Sequence, residues 1–310
     1  MKVGIIDMGS NTFNLLIAEV DAAGDYHPLY RSKIAVKLGE GGFMKNYITE
    51  EAMQRAFVAL QAQIAAIKNQ YCDRIHCFAT SAVRNATNAE AFTKKVKELF
   101  GLAVQVISGE KEAHMVYKGV KLAGALGPHK SLIMDIGGGS TEFIIADENE
   151  VIWQKSYELG VSRLLEKFKP SDPLSVEEAK SLQSFLEKEV SDMIQKAESE
   201  GVRNLIGSSG SFDTFSDLIS HRNGTYEETK DLSTLKFDLN ALKDVMEEIT
   251  VSSLADRERM PGMPEYRIRM IVMSALFARM VIGKTGITSA NISRYSLKEG
   301  VLFDVLKGNI

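Results

Sequence analysis

Apolar, β-branched stretches and polar turns alternate through the first 37 positions: Lys2–Asp7, Phe13–Val20 and, after the turn Asp21–Asp25, Leu29–Lys37. Short apolar runs bounded by turn residues predict strands, and Pro28 marks where the third can begin. Connections this tight predict an antiparallel meander opening a mixed sheet. From Thr49, a favourable N-cap, the period changes: Met53, Ala56, Phe57, Leu60, Ile64 and Ile67 recur at helical spacing. Strand Arg74–Thr80, helix Ala89–Phe100 with Asn88 as N-cap and Gly101 as stop, strand Leu102–Ser108 and helix Glu110–Leu122 continue an alternation that predicts an α/β domain.

The pattern then restarts. Strands Ser131–Ile136, Glu142–Ala146 and Val151–Leu159 repeat the meander. Ser175 with Glu178 is a capping box opening a long helix to about Glu200, and strand Asn204–Ile206 leads into a mostly helical remainder. That remainder includes an apolar helix predicted over Tyr266–Ile282. The repeat is visible in the residues: Ile5-Ile6-Asp7-Met8-Gly9 lies over Ile133-Met134-Asp135-Ile136-Gly137, and Leu15-Leu16-Ile17 over Phe143-Ile144-Ile145. Duplication of one α/β unit explains both copies. A chain of 310 residues is the right length for two such domains. The turn residues of Gly124–Lys130 divide them into residues 1–124 and 125–310, with the C-terminal helix free to pack back on the first.

Charge and composition narrow the function. A formal net charge of −4 lacks the basic face that nucleic-acid binding needs, though a small polyanion can be held by backbone amides and a few local cations. No apolar run approaches membrane-spanning length, and Asp7, Asn11 and Asn14 interrupt the apolar amino terminus, so a cytoplasmic protein is expected. Cys72 and Cys77 are too few for a disulfide framework, and the five histidines are scattered without metal-ligand spacing.

In each copy of the repeat an aspartate ends a buried strand and a glycine-containing hairpin turns straight back. Two facing hairpins of this kind would clamp a phosphate chain. Gly137, Gly138 and Gly139 let backbone approach an anion closely, Ser140 and Thr141 add hydroxyls, and Asp7, Asp135 and Glu142 are oxygen donors suited to Mg²⁺ or Mn²⁺, directly or through water. Ordinary turn chemistry also places Asp and Gly in hairpins. Arg84 leaves a strand in a small-residue loop where a guanidinium can pair with phosphate oxygens, although a surface arginine fits the same position. Glu110 and Glu112 suit the first turn of any helix; one facing the hairpins could also take a proton from water. Ser208 and Gly210 lie in a third strand-to-helix turn compatible with a phosphate contact, and Arg267 is positioned either to reach the cleft or to face solvent.

Together, DMGSNTFNLLI, FATSAVRNATN, ISGEKEAHMVYKGV, DIGGGSTEFII, IGSSGS and YSLKEGVL, in this order, resemble the exopolyphosphatase and guanosine pentaphosphate phosphohydrolase family over nearly the whole chain. The resemblance implies duplicated actin-like, ribonuclease H-like α/β domains with mixed sheets and the active site in the cleft between them. It implies that Glu112 is the general base, that Arg84 contacts the terminal phosphate, that Asp7, Asp135 and Glu142 organise the metal, and that Ser10, Asn11 and Gly137 to Thr141 bind phosphate. The substrate would be inorganic polyphosphate or guanosine pentaphosphate, and a homodimer is plausible on the same ground. A kinase of the same superfamily or a noncatalytic alarmone sensor are the alternatives. His114, Arg269, Ser274 and Lys298 depart from the residues usual in the family.

Overall fold

A computed structural model describes residues 1–310. In the first half, β1 (Lys2–Met8), β2 (Thr12–Val20) and β3 (Tyr26–Ala35) form the antiparallel meander. They are followed by α1 (Glu50–Asn69), β4 (Arg74–Ala79), the single turn α2 (Ser81–Arg84), α3 (Ala89–Phe100), β5 (Val104–Val106) and α4 (Gly109–Leu122). The second half opens with its own meander, β6 (Ser131–Ile136), β7 (Thr141–Ala146) and β8 (Val151–Tyr157). Then come α5 (Val161–Phe168), α6 (Val176–Glu189), α7 (Ser191–Ser199), β9 (Asn204–Ser208), α8 (Ser209–Asn223), α9 (Tyr226–Thr229), β10 (Thr234–Phe237), α10 (Leu239–Val251), α11 (Leu254–Glu258), α12 (Ile271–Lys284), β11 (Ser289–Ser293) and α13 (Leu297–Leu306).

The strand order of the first sheet is β3-β2-β1-β4-β5, and the second, read from its β8 edge, is β8-β7-β6-β9-β11-β10. In both, a three-stranded meander is followed by strands added in parallel through helical crossovers. This shared order is the duplicated, mixed-sheet actin-like architecture. β10 is an extra antiparallel edge on the second copy.

Both faces of each central strand are buried, which is why these strands read as nearly continuous apolar runs. Ile6, Met8, Leu15 and Ile17 face an outer core under α1 and α3. Val3, Ile5, Leu16 and Ala18 face the opposite way, into a core they share with Ile133, Ile144 and Ile206 of the second sheet and with α4 and α13. The larger outer core of the second half lies under α5, α6, α10 and α12. The helices α4 and α13 therefore form a central layer between two sheets.

Several local expectations are corrected. β3 begins at Tyr26 and contains Pro28, which stands opposite Ala18 at a register shift on an edge strand where a missing N–H breaks no ladder. Asn88 does not cap α3 through its side chain; that amide bonds Ile48 on both N and O. The long helix after Ser175 divides at Val190, whose φ of −108° and ψ of 21° leave the helical region. The apolar series Leu182, Leu186, Val190, Met193, Ala197 runs through the break, so periodicity alone does not reveal it. The remainder holds two strands as well as helices: β10 and β11 span four and five residues, too short for a clear alternation. The helix expected from Tyr266 starts only at Ile271, because Glu265–Arg267 is a 3₁₀ turn. No helix is long and apolar enough to cross a membrane, and both cysteines are free, Cys77 buried.

The central layer depends on two glycines. A Cβ at Gly119 of α4 would lie 2.1 Å from the Ser296 carbonyl oxygen, and one at Gly300 of α13 would lie 1.8 Å from that of Met115. Backbone cannot yield as a flexible side chain does, so Gly300→Ala must push the helices apart, at an expected loss of about 3 kcal/mol in urea unfolding. Gly283, exposed in α12 with nothing within 4 Å of an added Cβ, is the control. Gly283→Ala should gain about 0.5–1 kcal/mol from helix propensity.

Candidate active site

Asp7 ends β1 and stands directly across from Asn14 of β2, whose amide donates to it at 2.9 Å. Asp135 ends β6 and stands across from Glu142 of β7. Between the paired strands the two turns close alike: the Gly9 amide donates to the Thr12 carbonyl at 3.1 Å, and the Gly137 amide to the Ser140 carbonyl at 3.0 Å. A Cβ at Gly9 or Gly137 would fall 2.8 or 2.9 Å from those same carbonyl oxygens, so glycine is required in both turns.

The hairpin carbonyls are tied back and their amides are left open. Gly137 and Gly138 carbonyls accept from Val161, Ser162 and Arg163 at the start of α5, while Ser10 and Asn11 carbonyls accept from Gly39, Val36 and Lys37. The amides of Gly138, Gly139 and Ser140, and those of Ser10 and Asn11, have no acceptor in the protein. Successive outward amides of this kind form an anion-binding nest. The two tips also touch: a Cβ at Gly138 would sit 3.1 Å from Asn11 Cβ, and one at Gly139 would sit 2.5 Å from Ser10 Oγ.

Two further strand-to-helix junctions deliver charge to this nest. Ser108 caps α4 by accepting from the Lys111 amide, and the first turn places Glu112 inward, 8% exposed, while Glu110 stays exposed. Arg84 donates from Nη1 to Glu112 Oε2 at 2.7 Å and to the Ile107 carbonyl at 3.2 Å. On the other side, Asp135 Oδ2 accepts from Ser296 Oγ at 2.7 Å and from Ser208 Oγ at 3.2 Å, and Glu142 accepts from Ser156 Oγ at 2.7 Å.

Asp7, Glu112, Asp135 and Glu142 all line one cavity of about 90 Å³ beneath the hairpin tips. Burial, reinforced by Asp7 and Asp135 and opposed by Arg84, pushes Glu112 up to about 7. Burial likewise takes Asp7 up to about 6, against the Asn14 hydrogen bond and the Lys298 charge. Burial raises Asp135 even with serine hydroxyls bonded to it, and burial plus repulsion from Glu112 and Asp135 raises Glu142 well above the usual carboxylate range. These are all hard oxygen donors with excess negative charge, which fits Mg²⁺ or Mn²⁺. No three of them converge into a ready inner ligand set, so the fit is to a cation held partly through its waters rather than by direct bonds from Asp7, Asp135 and Glu142 together.

Of the residues singled out from sequence, Asp7, Ser10, Asn11, Glu112, Asp135, Gly137, Gly138, Gly139, Ser140, Glu142 and Arg267 face this cavity. Arg84 reaches it through Glu112. Three expected phosphate ligands point elsewhere: Thr141 Oγ1 donates to the Leu159 carbonyl at 3.1 Å, Ser208 is fully buried on Asp135, and Gly210 lies under Arg267, whose Nη2 would be 1.7 Å from an added Cβ. Ser209, in the left-handed region at φ 69°, lines the cavity instead. Among the departures, Ser274 is buried on Ser211 at 2.9 Å, His114 sits on α4 beside Tyr117, Lys118 and Asp304, and Lys298 salt-bridges buried Glu299 at 3.1 Å. Arg269 lines a second cavity of about 510 Å³ that adjoins the first at Ser10, Asn11 and Met270. Sequence reasoning did not find Asn14, Ser156, Glu158, Arg163 or Ser296. Asn14 was accessible to it, because the register laying Asp7 over Asp135 lays Asn14 over Glu142.

Comparison with known proteins places the chain in a family. Residues 16–309 match the Ppx/GppA phosphatase family. The solved structure of an exopolyphosphatase from Cytophaga hutchinsonii superimposes with a TM-score of 0.96 at 32% identity, covering 99% of this chain and 98% of that one. A Ppx/GppA family member from Aquifex aeolicus gives 0.80 at 25% identity, over 100% of this chain and 99% of the other. The guanosine-5'-triphosphate,3'-diphosphate pyrophosphatase of Photobacterium profundum is 27% identical over 97% of this chain, and that of Pseudoalteromonas translucida 29% over 97%. The chain spans 58% and 59% of the length of these last two relatives.

The raised carboxylates set a direction for stability. Between the unfolded values of about 4 and the folded values of about 6 for Asp7 and 7 for Glu112, the folded protein holds more protons than the unfolded chain. Stability therefore falls as pH rises through this window, by up to about 3 kcal/mol per site. Thermal melts without divalent cations should show a lower midpoint at pH 7.5 than at pH 5.5, with Asp7→Asn raising the midpoint at pH 7.5 and Mg²⁺ flattening the slope.

Proposed function

The chain belongs to the Ppx/GppA phosphatase family, and we propose on that premise that it hydrolyses terminal phosphoanhydride bonds of inorganic polyphosphate or guanosine pentaphosphate by direct attack of water. The observation that carries this reading is a buried glutamate with its proton affinity raised to near neutrality, placed against an amide nest and paired to an arginine. The kinase and sensor alternatives draw no support from relatives that are named as hydrolases.

In this reading the open amides of Gly138, Gly139, Ser140, Ser10 and Asn11 hold the nonbridging oxygens of the terminal phosphate. Ionised Glu112 takes a proton from water as the new O–P bond forms, the anhydride O–P bond breaks, and the shortened chain leaves with the bond's electron pair. Arg84 keeps Glu112 oriented and offers its remaining N–H groups to the transferred phosphate. Asp7, Asp135 and Glu142 are the residues that would hold a divalent cation, which would offset the charge developing on the leaving oxygen. The lobes meeting at this site divide between residues 124 and 125, and the enzyme works in the cytoplasm.

The adjoining cavity favours short substrates. It is lined by Glu40, Glu166, Glu258 and Glu265 against Lys37 and Arg269, a field that opposes a long polyanionic tail. The turnover efficiency per chain end should therefore fall with polyphosphate length, and the fall should shrink in high salt, where exposed charges are screened.

Phosphate release with Mg²⁺ from polyphosphates of several lengths, guanosine pentaphosphate and ATP tests the assignment. Glu112→Gln should lower kcat by about 10²–10⁴-fold while substrate still binds. The wild-type kcat/KM should fall on the acid side as Glu112 gains its proton. Undiminished turnover in Glu112→Gln would remove the general base from this scheme.

A further inference from the structure

Glu158, in the link between β8 and α5, occupies a position the catalytic scheme does not use. Its Oε1 accepts from Arg84 Nη2 at 3.2 Å; its Oε2 accepts from Ser81 Oγ at 2.7 Å and Arg163 Nη2 at 2.7 Å. Asn85 Nδ2 donates to Ser81 Oγ at 3.3 Å and so holds that hydroxyl beside the carboxylate. One carboxylate thus takes up two guanidinium groups and a hydroxyl. Those donors are held in place independently of it: Arg84 Nη1 is committed to Glu112 and Ile107, and Arg163 Nε donates to the Gly139 carbonyl at 3.0 Å with its guanidinium over the Phe43 ring. The receptor also abuts the glycine nest, since Ser81 Oγ would lie 2.6 Å from a Cβ on Gly139.

Glu158 itself is the loose member, its side chain 44% exposed against 16% for each arginine. Burial would raise its proton affinity, but Asn85, Ser81 and the two arginines outweigh this and hold it ionised below the usual carboxylate range. A planar carboxylate brings one charge and two oxygens to donors that could serve more. A phosphate brings up to two charges and three free oxygens, and arginine forks pair with it at least as well.

We infer that Arg84, Arg163, Ser81 and Asn85 form a phosphate subsite at the mouth of the cleft, and that Glu158 fills it as an internal competitor until a substrate phosphate or released orthophosphate displaces it. This rests on the hydrolase reading above. Filling by Glu158 lowers the apparent affinity for phosphate by the fraction of molecules in which the subsite is free. It also gives the product a way out, because the returning carboxylate competes with bound orthophosphate.

The test is calorimetric titration of orthophosphate and tripolyphosphate into wild type, Glu158→Gln and Arg163→Gln, alongside steady-state kinetics. Glu158→Gln should bind orthophosphate roughly five- to thirty-fold more tightly, which corresponds to a competitor present in most unliganded molecules. KM should fall in parallel and orthophosphate inhibition should strengthen, while Arg163→Gln should bind orthophosphate roughly tenfold more weakly. Unchanged or weaker binding in Glu158→Gln, with kcat reduced at constant KM, would overturn the inference and leave Glu158 as an orienter of Arg84. Wild type that hydrolyses normally while Glu158→Gln matches it throughout sinks this inference alone. Wild type that neither binds nor cleaves any phosphate sinks the hydrolase reading and this inference with it.

Discussion

The spacing of the cleft is set where the backbones of α4 and α13 meet at Gly119 and Gly300. α4 closes the first half of the chain, yet it packs against β7 and β8 of the second sheet, and α13, the last helix, packs against β1 and β2 of the first. Each helix therefore leans on the other half's sheet, and the distance between the sheets is the thickness of one helical layer. Lys118 to Asp304, at 2.7 Å, and Arg31 to Glu299, at 2.6 Å, hold the same layer together by charge at its edges. Because Glu112 rides on the first turn of α4, any change in that thickness moves this proposed base relative to the glycine nest. Packing that looks purely structural thus sets the geometry on which the proposed chemistry depends.

Within this spacing the molecule accumulates negative charge. Four carboxylates face one small cavity, opposed by Arg84 on Glu112, Lys298 near Asp7 and Arg267 in the cavity lining. The contrast with Glu299 is instructive. It is also fully buried, but Lys298, Arg31 and the Ser296 amide keep it below its ordinary value, so it behaves as a structural anion. Glu112 and Glu142 lack that degree of compensation and are raised. Uncompensated burial is unfavourable for the isolated fold and useful for a base that must accept a proton near neutrality. The same shortage of positive charge gives a divalent cation its reason to bind.

Where the chemistry depends on backbone direction, the sequence was readable. Asp7, Gly9, Asp135 and Gly137 follow from a strand that ends in a tight return, which local residues specify. The hairpin tips followed for the same reason. What tertiary packing decides was less readable: Glu110 and Glu112 are equally good first-turn acids, and only the facing of α4 selects Glu112. Thr141 and Ser208 are polar residues of a type that serves phosphate, but their hydroxyls satisfy a carbonyl and a carboxylate inside the protein. Arg267, which could equally have faced solvent, is buried because the 3₁₀ turn before α12 folds it over Gly210. Glu158 and Arg163 have no counterpart in the repeat and meet Arg84 only across the cleft, so no linear pattern announces them.

The duplicated hairpins are nearly equivalent as backbone and unequal as chemistry, and that inequality is what a directional reaction on a symmetric scaffold would need. At matching positions, Asn14 brings Asp7 a neutral hydrogen-bond donor, whereas Glu142 adds a second carboxylate beside Asp135. Negative charge is therefore concentrated on the second hairpin. The first half contributes Glu112 and Arg84 through α4 and α2. A phosphate held between the tips would therefore meet Glu112, Asp135 and Glu142 as one cluster of repelling carboxylates, with the single carboxylate Asp7 on the first hairpin. Had both hairpins kept the same residue opposite the aspartate, the amide nest would be unchanged, but the paired loops would be electrostatically alike and would give a bound phosphate no distinction between them.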